Sequence, residues 1–195
     1  MKQLAVLIDI DDTLADSQTV LLEHVNRVSS RPYTLSYLTQ ASREDDDDEY
    51  NKHVRELLRR PEIVASYQPF YDALQAVTRL HAAGYAVHIC SSRKENLHET
   101  TTDWLAEHGF APFIAKVHPR MSINRGHDFK VSVARSVQAV VAFDDTYEVV
   151  VALSQVVPTV YLIERPWNQD GDTPDNVTRH TSFATAVFDF LAYEQ

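Results

Sequence analysis

Leu4-Ala5-Val6-Leu7-Ile8-Asp9-Ile10-Asp11-Asp12-Thr13-Leu14 is an apolar run that breaks off in three aspartates within four positions. Five consecutive apolar residues suit a strand buried on both faces. Three carboxylates crowded at its C-terminal end repel one another and resist desolvation, so a cation is expected among them. In open α/β sheets ligands bind beyond the carboxyl ends of the strands, and hard oxygen donors of this kind suit Mg²⁺. Asp9 and Asp11, two positions apart, would share a face if the strand continued. One could then serve as nucleophile and the other as proton donor. The plainer reading is an Asp-rich turn in which Asp11 or Asp12 caps a helix.

Composition narrows the classes. The chain has 195 residues, enough for one α/β core with a small accessory lobe. Lys and Arg number 18 against 28 Asp and Glu, a net charge of −10. That balance argues against a long nucleic-acid partner, whose grip needs many basic contacts to phosphates, but leaves room for a small anion at one site. Cys90 is the single cysteine, so no intrachain disulfide is possible. It sits in an apolar stretch and reads as an inert core thiol. No apolar run has the length of a membrane span and the N-terminal run is too short for a signal-peptide core. A cytoplasmic protein without a membrane partner is expected, of unspecified oligomeric state.

Downstream of Leu14 the period changes. Val20, Leu21, Val25 and Val28 recur at helical spacing behind Asp16 or Ser17 as N-cap, and Ser29-Ser30-Arg31-Pro32 ends that helix. Glu44 to Glu49, six acids in a row, lack the central glycine of a calcium loop and read as a solvated loop or an acidic helix start. Helices follow over His53 to Arg60 and Tyr71 to Ala83, the latter closed by Gly84. Tyr67, Phe70 and Tyr71 serve either as ordinary packing or as part of a lid.

Further strands then end in chemistry. Tyr85 to Cys90 runs into Ser91-Ser92-Arg93, ahead of a helix over Glu95 to His108. A hydroxyl and a helix N-terminus at such a junction can hold phosphate oxygens, although Ser as a simple N-cap explains it as well. Pro112 to Val117 is the third strand, followed by an irregular loop to Lys130 and a helix over Val131 to Val137. Ala139 to Phe143 is a fourth strand and ends in Asp144-Asp145, the second pair of acids in the chain behind an apolar run. Pro158 to Ile163 is the fifth. Gln169 to Asn176 reads as an exposed loop, and Ser182 to Tyr193 as a helix. The nine histidines lack zinc spacing.

Taken together, these strand ends resemble the four motifs of the haloacid dehalogenase-like (HAD) hydrolases. Asp9-Ile10-Asp11-Asp12-Thr13 is similar to their D-x-D-x-T/V, and Ser91-Ser92-Arg93 to the T-x-R of nucleotidase-like members. Lys130 stands where the family has a lysine, and Asp144-Asp145 where it has the acid pair. Lys116, Arg120 and Arg125 are alternative sources of that lysine's charge. Glu164-Arg165-Pro166-Trp167-Asn168 resembles a tail of deoxynucleotidase-like phosphatases.

The resemblance implies a Rossmann-like three-layer α/β core with a parallel sheet, residues 1–16 and 71–195. A mobile helical cap of the first cap class, residues 17–70, would be inserted after the first strand. It implies Asp9 as nucleophile and Asp11 as acid and base, with Lys130 neutralising charge. Ser91, Ser92 and Arg93 would be at the substrate. The implied Mg²⁺ ligands are Asp9, the backbone carbonyl of Asp11, and Asp145, with Asp144 behind it or as the alternate ligand. The expected activity is a phosphomonoesterase working through an aspartyl-phosphate on a nucleoside (deoxy)monophosphate or similar small ester. A polynucleotide 3'-phosphatase is the alternative, and a non-catalytic binding protein of this fold a third.

Overall fold

A computed structural model describes residues 3–35, 49–120 and 126–193. Its centre is a six-stranded sheet built from β1 (Ala5–Ile8), β4 (Ala86–Lys94), β5 (Ile114–Arg120), β6 (Ala139–Asp144), β7 (Thr159–Ile163) and β8 (Val177–His180). The spatial order is β5-β4-β1-β6-β7-β8 and every pairing is parallel. β1 lies between β4 and β6. The chain first builds outward on one side of β1 through β4 and β5, then returns to its other side with β6. This reversal opens a crevice beyond the carboxyl end of β1, the usual ligand position in such sheets.

Side-chain alternation explains the layering. Val6 and Ile8, Val87 and Ile89, and Val141 and Phe143 face one apolar cluster. Leu7, Cys90, Ala142, Val160 and Leu162 face another. Successive strand residues point to opposite faces, so β1, β4, β6 and β7 each feed both cores. Helices α4 (Ala73–Ala82) and α8 (Phe183–Tyr193) cover the first face, with α5 (His98–Glu107) also contributing to that cluster. Helices α6 (Gly126–Val137) and α7 (Tyr147–Ser154) cover the second. The result is the three-layer α/β sandwich that the resemblance implied.

Between β1 and β4 the chain leaves the sheet. Ala15–Asp16 (β2) pairs antiparallel with Gln68–Pro69 (β3), and the Phe70 N–H donates to the Leu14 carbonyl at 2.8 Å. The two ends of the intervening segment are thus tied together. That segment holds α1 (Ser17–Val28), α2 (Glu49–Leu57) and α3 (Pro61–Ala65). Asp16 caps α1 by accepting from the Thr19 N–H at 3.1 Å. Leu21, Val25, Tyr50, Ile63 and Val64 bury into the same cluster as the first sheet face. Of the acidic run, Glu44 to Asp48 lie outside the described residues; Glu49 opens α2 and accepts from the backbone and hydroxyl of Ser30.

Several boundaries differ from the sequence reading. β4 continues past Cys90 to Lys94, and a short 3-10 turn (Glu95–Leu97) precedes α5, so the expected helix over Glu95 to His108 starts three residues later as an α-helix. α6 begins at Gly126 rather than Val131, which puts Lys130 inside the helix. β8 was not expected: Val-Thr-Arg-His has one buried apolar residue, because an edge strand has only one neighbour and carries little apolar signal. Cys90 is buried and free, and burial raises its thiol pKa well above the usual value. Among the described residues no helix is long and apolar enough to cross a membrane.

One contact between strands has a pH consequence. His88 Nδ1 on β4 lies 3.0 Å from His118 Nε2 on β5. Burial and the partner ring lower the His118 pKa to about 4, and burial with Lys116 lowers that of His88. A histidine whose pKa falls on folding contributes stability that is present above its unfolded value, near 6.5, and is lost as pH falls toward its folded value. The melting temperature is therefore expected to drop between pH 6.5 and 4. The drop should be smaller in His118→Gln, as a calorimetric pH series would measure; an unchanged slope would assign acid sensitivity to other groups.

Candidate active site

The register of the sheet brings the acids together. Ile8 pairs with Phe143 on β6 and with Ile89 on β4, so the residues just beyond β1 stand level with Asp144 and with Ser91. The Asp9 N–H donates to the Phe143 carbonyl at 3.0 Å, extending the ladder one residue into the crevice. Asp9, Asp144 and Asp145 are all buried, and each offers a carboxylate oxygen within 4.8 Å of the others.

Lys130 reaches into this cluster from α6. Its Nζ lies 2.8 Å from Asp9 Oδ1 and 2.7 Å from Asp144 Oδ2, with the side chain 2% exposed. Burial works to lower the ammonium pKa, but Asp144 and Asp9 outweigh it and hold the group charged. Burial pushes Asp9 up to about 7; Lys130 pulls it back, and Asp144 and Asp11 push the same way as burial. Asp145 is also raised well above the usual carboxylate range, by burial and then by Asp12 and Asp144. One ammonium thus compensates three buried carboxylates only in part. A divalent ion suits that deficit, and all three donors are hard oxygens.

Asp145 and Asp144 have different surroundings. Asp144 accepts from Lys130 and from the Thr146 N–H (3.0 Å). Asp145 Oδ2 accepts from Trp167 Nε1 at 2.8 Å, and its backbone carbonyl accepts from Asn168 Nδ2 at 2.6 Å. Of these two neighbours, Asp144 and not Asp145 has the ammonium at hydrogen-bond distance. Asp145→Asn removes one of the crowded charges and keeps an oxygen to accept from Trp167. In metal-free buffer it is expected to raise stability by about 1–2 kcal/mol, roughly 2–8 °C in melting temperature for a chain of this size. Mg²⁺ should raise the melting temperature of the parent and not that of the variant. A thermal melt in chelator and in Mg²⁺ measures both; equal Mg²⁺ shifts in the two proteins would contradict the assignment.

Asp11 is held from the other side of the crevice. Arg93 grips its carboxylate through Nη2 at 2.7 Å and Nε at 3.0 Å, a bidentate, charge-assisted pair. Arg93 Nη1 donates to Thr101 Oγ1, and its guanidinium lies over the Tyr67 ring. Ser91 Oγ stands 3.4 Å from Asp11 Oδ2 and accepts from the Arg93 N–H. The hydroxyl and guanidinium expected at the substrate are therefore in the crevice, with Arg93 engaged on Asp11. Ser92 lines the same cavity and is exposed. Of the alternative cations, Arg120 lines the cavity, Lys116 is exposed on β5, and Arg125 lies outside the described residues.

Four contributors were not among the site residues read from sequence. Asp12 takes a positive φ of 57°, accepts from Ser17 Oγ (2.7 Å) and the Gln18 N–H (3.1 Å), and is pushed up to about 7 by burial. Arg165 Nε donates to the Asp12 carbonyl at 2.8 Å, while Trp167 and Asn168 hold Asp145. The Arg165-Pro166-Trp167-Asn168 tail was the available signal for the last three. It braces two acidic strand ends from more than twenty residues away.

A cavity of about 570 Å³ rises over these groups. Its floor carries Asp9, Asp11, Lys130 and Asp145, and its wall includes Leu21, Val54, Leu58 and Val64 from the helical segment.

Comparison with known proteins fits this geometry. No protein-family model and no curated protein matches the sequence. Solved structures do. A haloacid dehalogenase-like family hydrolase from Streptococcus pneumoniae superposes with a TM-score of 0.67 at 14% identity, over 99% of each chain. A predicted phosphatase from Clostridium acetobutylicum gives 0.70 at 11% identity, over 98% of this chain and 100% of that one. A HAD-type protein from Bacillus subtilis, solved bound to magnesium, gives 0.63 at 12%, over 98% and 100%. At such identities the likeness speaks for the fold, and with the parallel sheet and its acidic crevice it establishes that this chain has the haloacid dehalogenase-like hydrolase fold.

Proposed function

We propose that the chain is a Mg²⁺-dependent phosphomonoesterase acting on a small phosphate ester, with a nucleoside monophosphate as first choice. The observation that carries this reading is the cluster of Asp9, Asp144 and Asp145 around Lys130, set beside Asp11 on the floor of one cavity. Asp9, Asp145 and the backbone carbonyl of Asp11 would hold the ion, which when bound supplies charge neutralisation for the approach of an anionic ester to a carboxylate.

The protein groups divide the chemistry between them. The Asp9 carboxylate attacks phosphorus in line, a P–O bond to Asp9 forms, and the bond to the leaving alkoxide breaks. Asp11 delivers a proton to that oxygen. Water then attacks phosphorus, Asp11 takes up its proton, and the bond to Asp9 breaks to release phosphate and free carboxylate. Lys130 stabilises the charge that gathers on the phosphoryl oxygens. In the resting protein Arg93 is paired with the Asp11 carboxylate. On substrate entry the guanidinium transfers to a phosphoryl oxygen, and Asp11 takes from solvent water the proton that it delivers to the leaving oxygen. The helical segment 17–70 acts as the cap, with the β2/β3 pair at its hinge, and excludes water from the intermediate.

The reading is tested by phosphate release from p-nitrophenyl phosphate and from a panel of nucleoside 5'- and 3'-monophosphates, with Mg²⁺ and with chelator. Turnover that needs Mg²⁺ is the expected result. Turnover that survives chelation, or none with any ester, would overturn it. A 3'-phosphorylated oligonucleotide preferred over every mononucleotide would replace the substrate class.

A further inference from the structure

We propose that the substrate carries a second anionic group, a phosphate or a carboxylate, held at the far end of the cavity by Lys94, Arg120 and Arg59. This rests on the phosphatase reading and adds a substrate class to it.

Three observations carry it. First, Lys94 at the end of β4 and Arg120 at the end of β5 are direct register partners. Like charges opposed on neighbouring strands repel, and both line the cavity. Second, Arg59, just beyond α2, lines the same cavity from the helical segment. Among the described residues none of these three cations has an acidic partner, whereas Lys130 and Arg93 are matched by Asp9, Asp144 and Asp11. Third, Arg120 Nε is shut from solvent and makes no hydrogen bond. A buried guanidinium donor without a partner is costly and is normally satisfied.

The charge distribution makes the cluster informative. On a chain of net charge −10, three unmatched cations around one cavity are not a background feature of the surface. The charges at the reacting end are already used, since Lys130 and Arg93 face the catalytic acids. An anion between Lys94 and Arg120 relieves their repulsion and satisfies Nε of Arg120. Leu21, Val54, Leu58 and Val64 give the wall an apolar stretch for a carbon skeleton. A cavity of about 570 Å³ suits a small molecule with two anionic groups rather than a polymer.

Matched pairs that differ only in the second anion test this with Mg²⁺ present. The phosphate arm compares a nucleoside 3',5'-bisphosphate with the 5'-monophosphate, and fructose 1,6-bisphosphate with fructose 6-phosphate. The carboxylate arm compares 3-phosphoglycerate with glycerol 3-phosphate. At least one pair is expected to show about tenfold higher kcat/KM for the dianionic member, mainly through KM and shrinking as salt rises. In a Lys94→Met, Arg120→Gln double variant that ratio should fall to within about twofold, and Arg59→Gln alone should reduce it. The single variant on the helical segment keeps the test open should the double variant fail to fold. Ratios within about twofold for every pair, with p-nitrophenyl phosphate still hydrolysed, would overturn this proposal and leave the phosphatase reading standing. A preference that survives both sets of substitutions would overturn the residue assignment. A 3'-phosphorylated oligonucleotide used better than any small ester would overturn the small-molecule class. No turnover of any ester would remove both readings together.

Discussion

Asp9→Asn is expected to lower phosphate release from any ester by about 10⁴-fold or more, while the protein stays folded. The size of the effect follows from the role: an amide cannot form the bond to phosphorus, and no other carboxylate stands in its place. Asp11 is held by Arg93, and Asp144 is bonded to Lys130. Stability should move little or upward, because Asp9 is a buried acid that burial already pushes up to about 7. Removing one charge from a crowded set relieves repulsion. Steady-state assays on p-nitrophenyl phosphate together with a thermal melt separate the two effects. A folded variant that keeps a tenth of parent turnover would show that another group attacks.

Lys130→Met is expected to do the opposite to stability and nearly as much to activity. The ammonium is 2% exposed and bridges Asp9 and Asp144 at 2.8 and 2.7 Å. A methionine fills the volume and leaves three buried carboxylates without their counter-ion, a loss of about 3–5 kcal/mol in metal-free buffer near neutral pH. Turnover should fall by about 10²–10³-fold, because the charge that meets the phosphoryl oxygens is gone.

The sign of the pH dependence follows from the same groups. Without the ammonium, which pulls both groups down, Asp9 and Asp145 rise further above their ordinary value of 3.8. The folded state then binds more protons than the unfolded one through that window, and stability falls as pH rises. The gap between parent and variant should therefore be wide at pH 8 and narrow near pH 5. Denaturant titrations at the two pH values measure it, and a gap independent of pH would mean that Lys130 acts only as packing.

The parts of the fold that sequence made legible are those in which a buried strand must be apolar along its length. β1, β4, β6 and β7 announce themselves as runs such as Ala5–Ile8 and Ala139–Phe143, because both faces of a central parallel strand are covered. The acids at their ends were legible for the complementary reason: an apolar run that stops in Asp9 or Asp144-Asp145 has no structural use for the charge. β8 was hidden because Val177 alone among its four residues is buried. The start of α6 was placed late, since Gly126-His127-Asp128 carries no apolar stripe, though the helix they open is what aims Lys130 inward.

Other parts of the site depend on contacts that no local pattern encodes. The grip of Arg93 on Asp11 spans 82 positions and that of Arg165 on the Asp12 carbonyl 153. Ser91-Ser92-Arg93 marks where the apolar run of β4 gives way to polar groups, but its sequence cannot say that the guanidinium turns back to the neighbouring strand's acid. The opposition of Lys94 and Arg120 was also out of reach, because it requires β4 to run beyond Cys90 and β5 beyond Val117.

The central claim is that the acids at two separate strand ends share one divalent ion. Anomalous diffraction from crystals grown with Mn²⁺ addresses it directly, since Mn²⁺ takes the same oxygen ligands as Mg²⁺. One peak per chain is expected, within coordination distance of both Asp9 and Asp145, and none in Asp145→Asn. A peak elsewhere, or Asp9 and Asp145 turned apart with no metal between them while the enzyme remains active, would contradict the account.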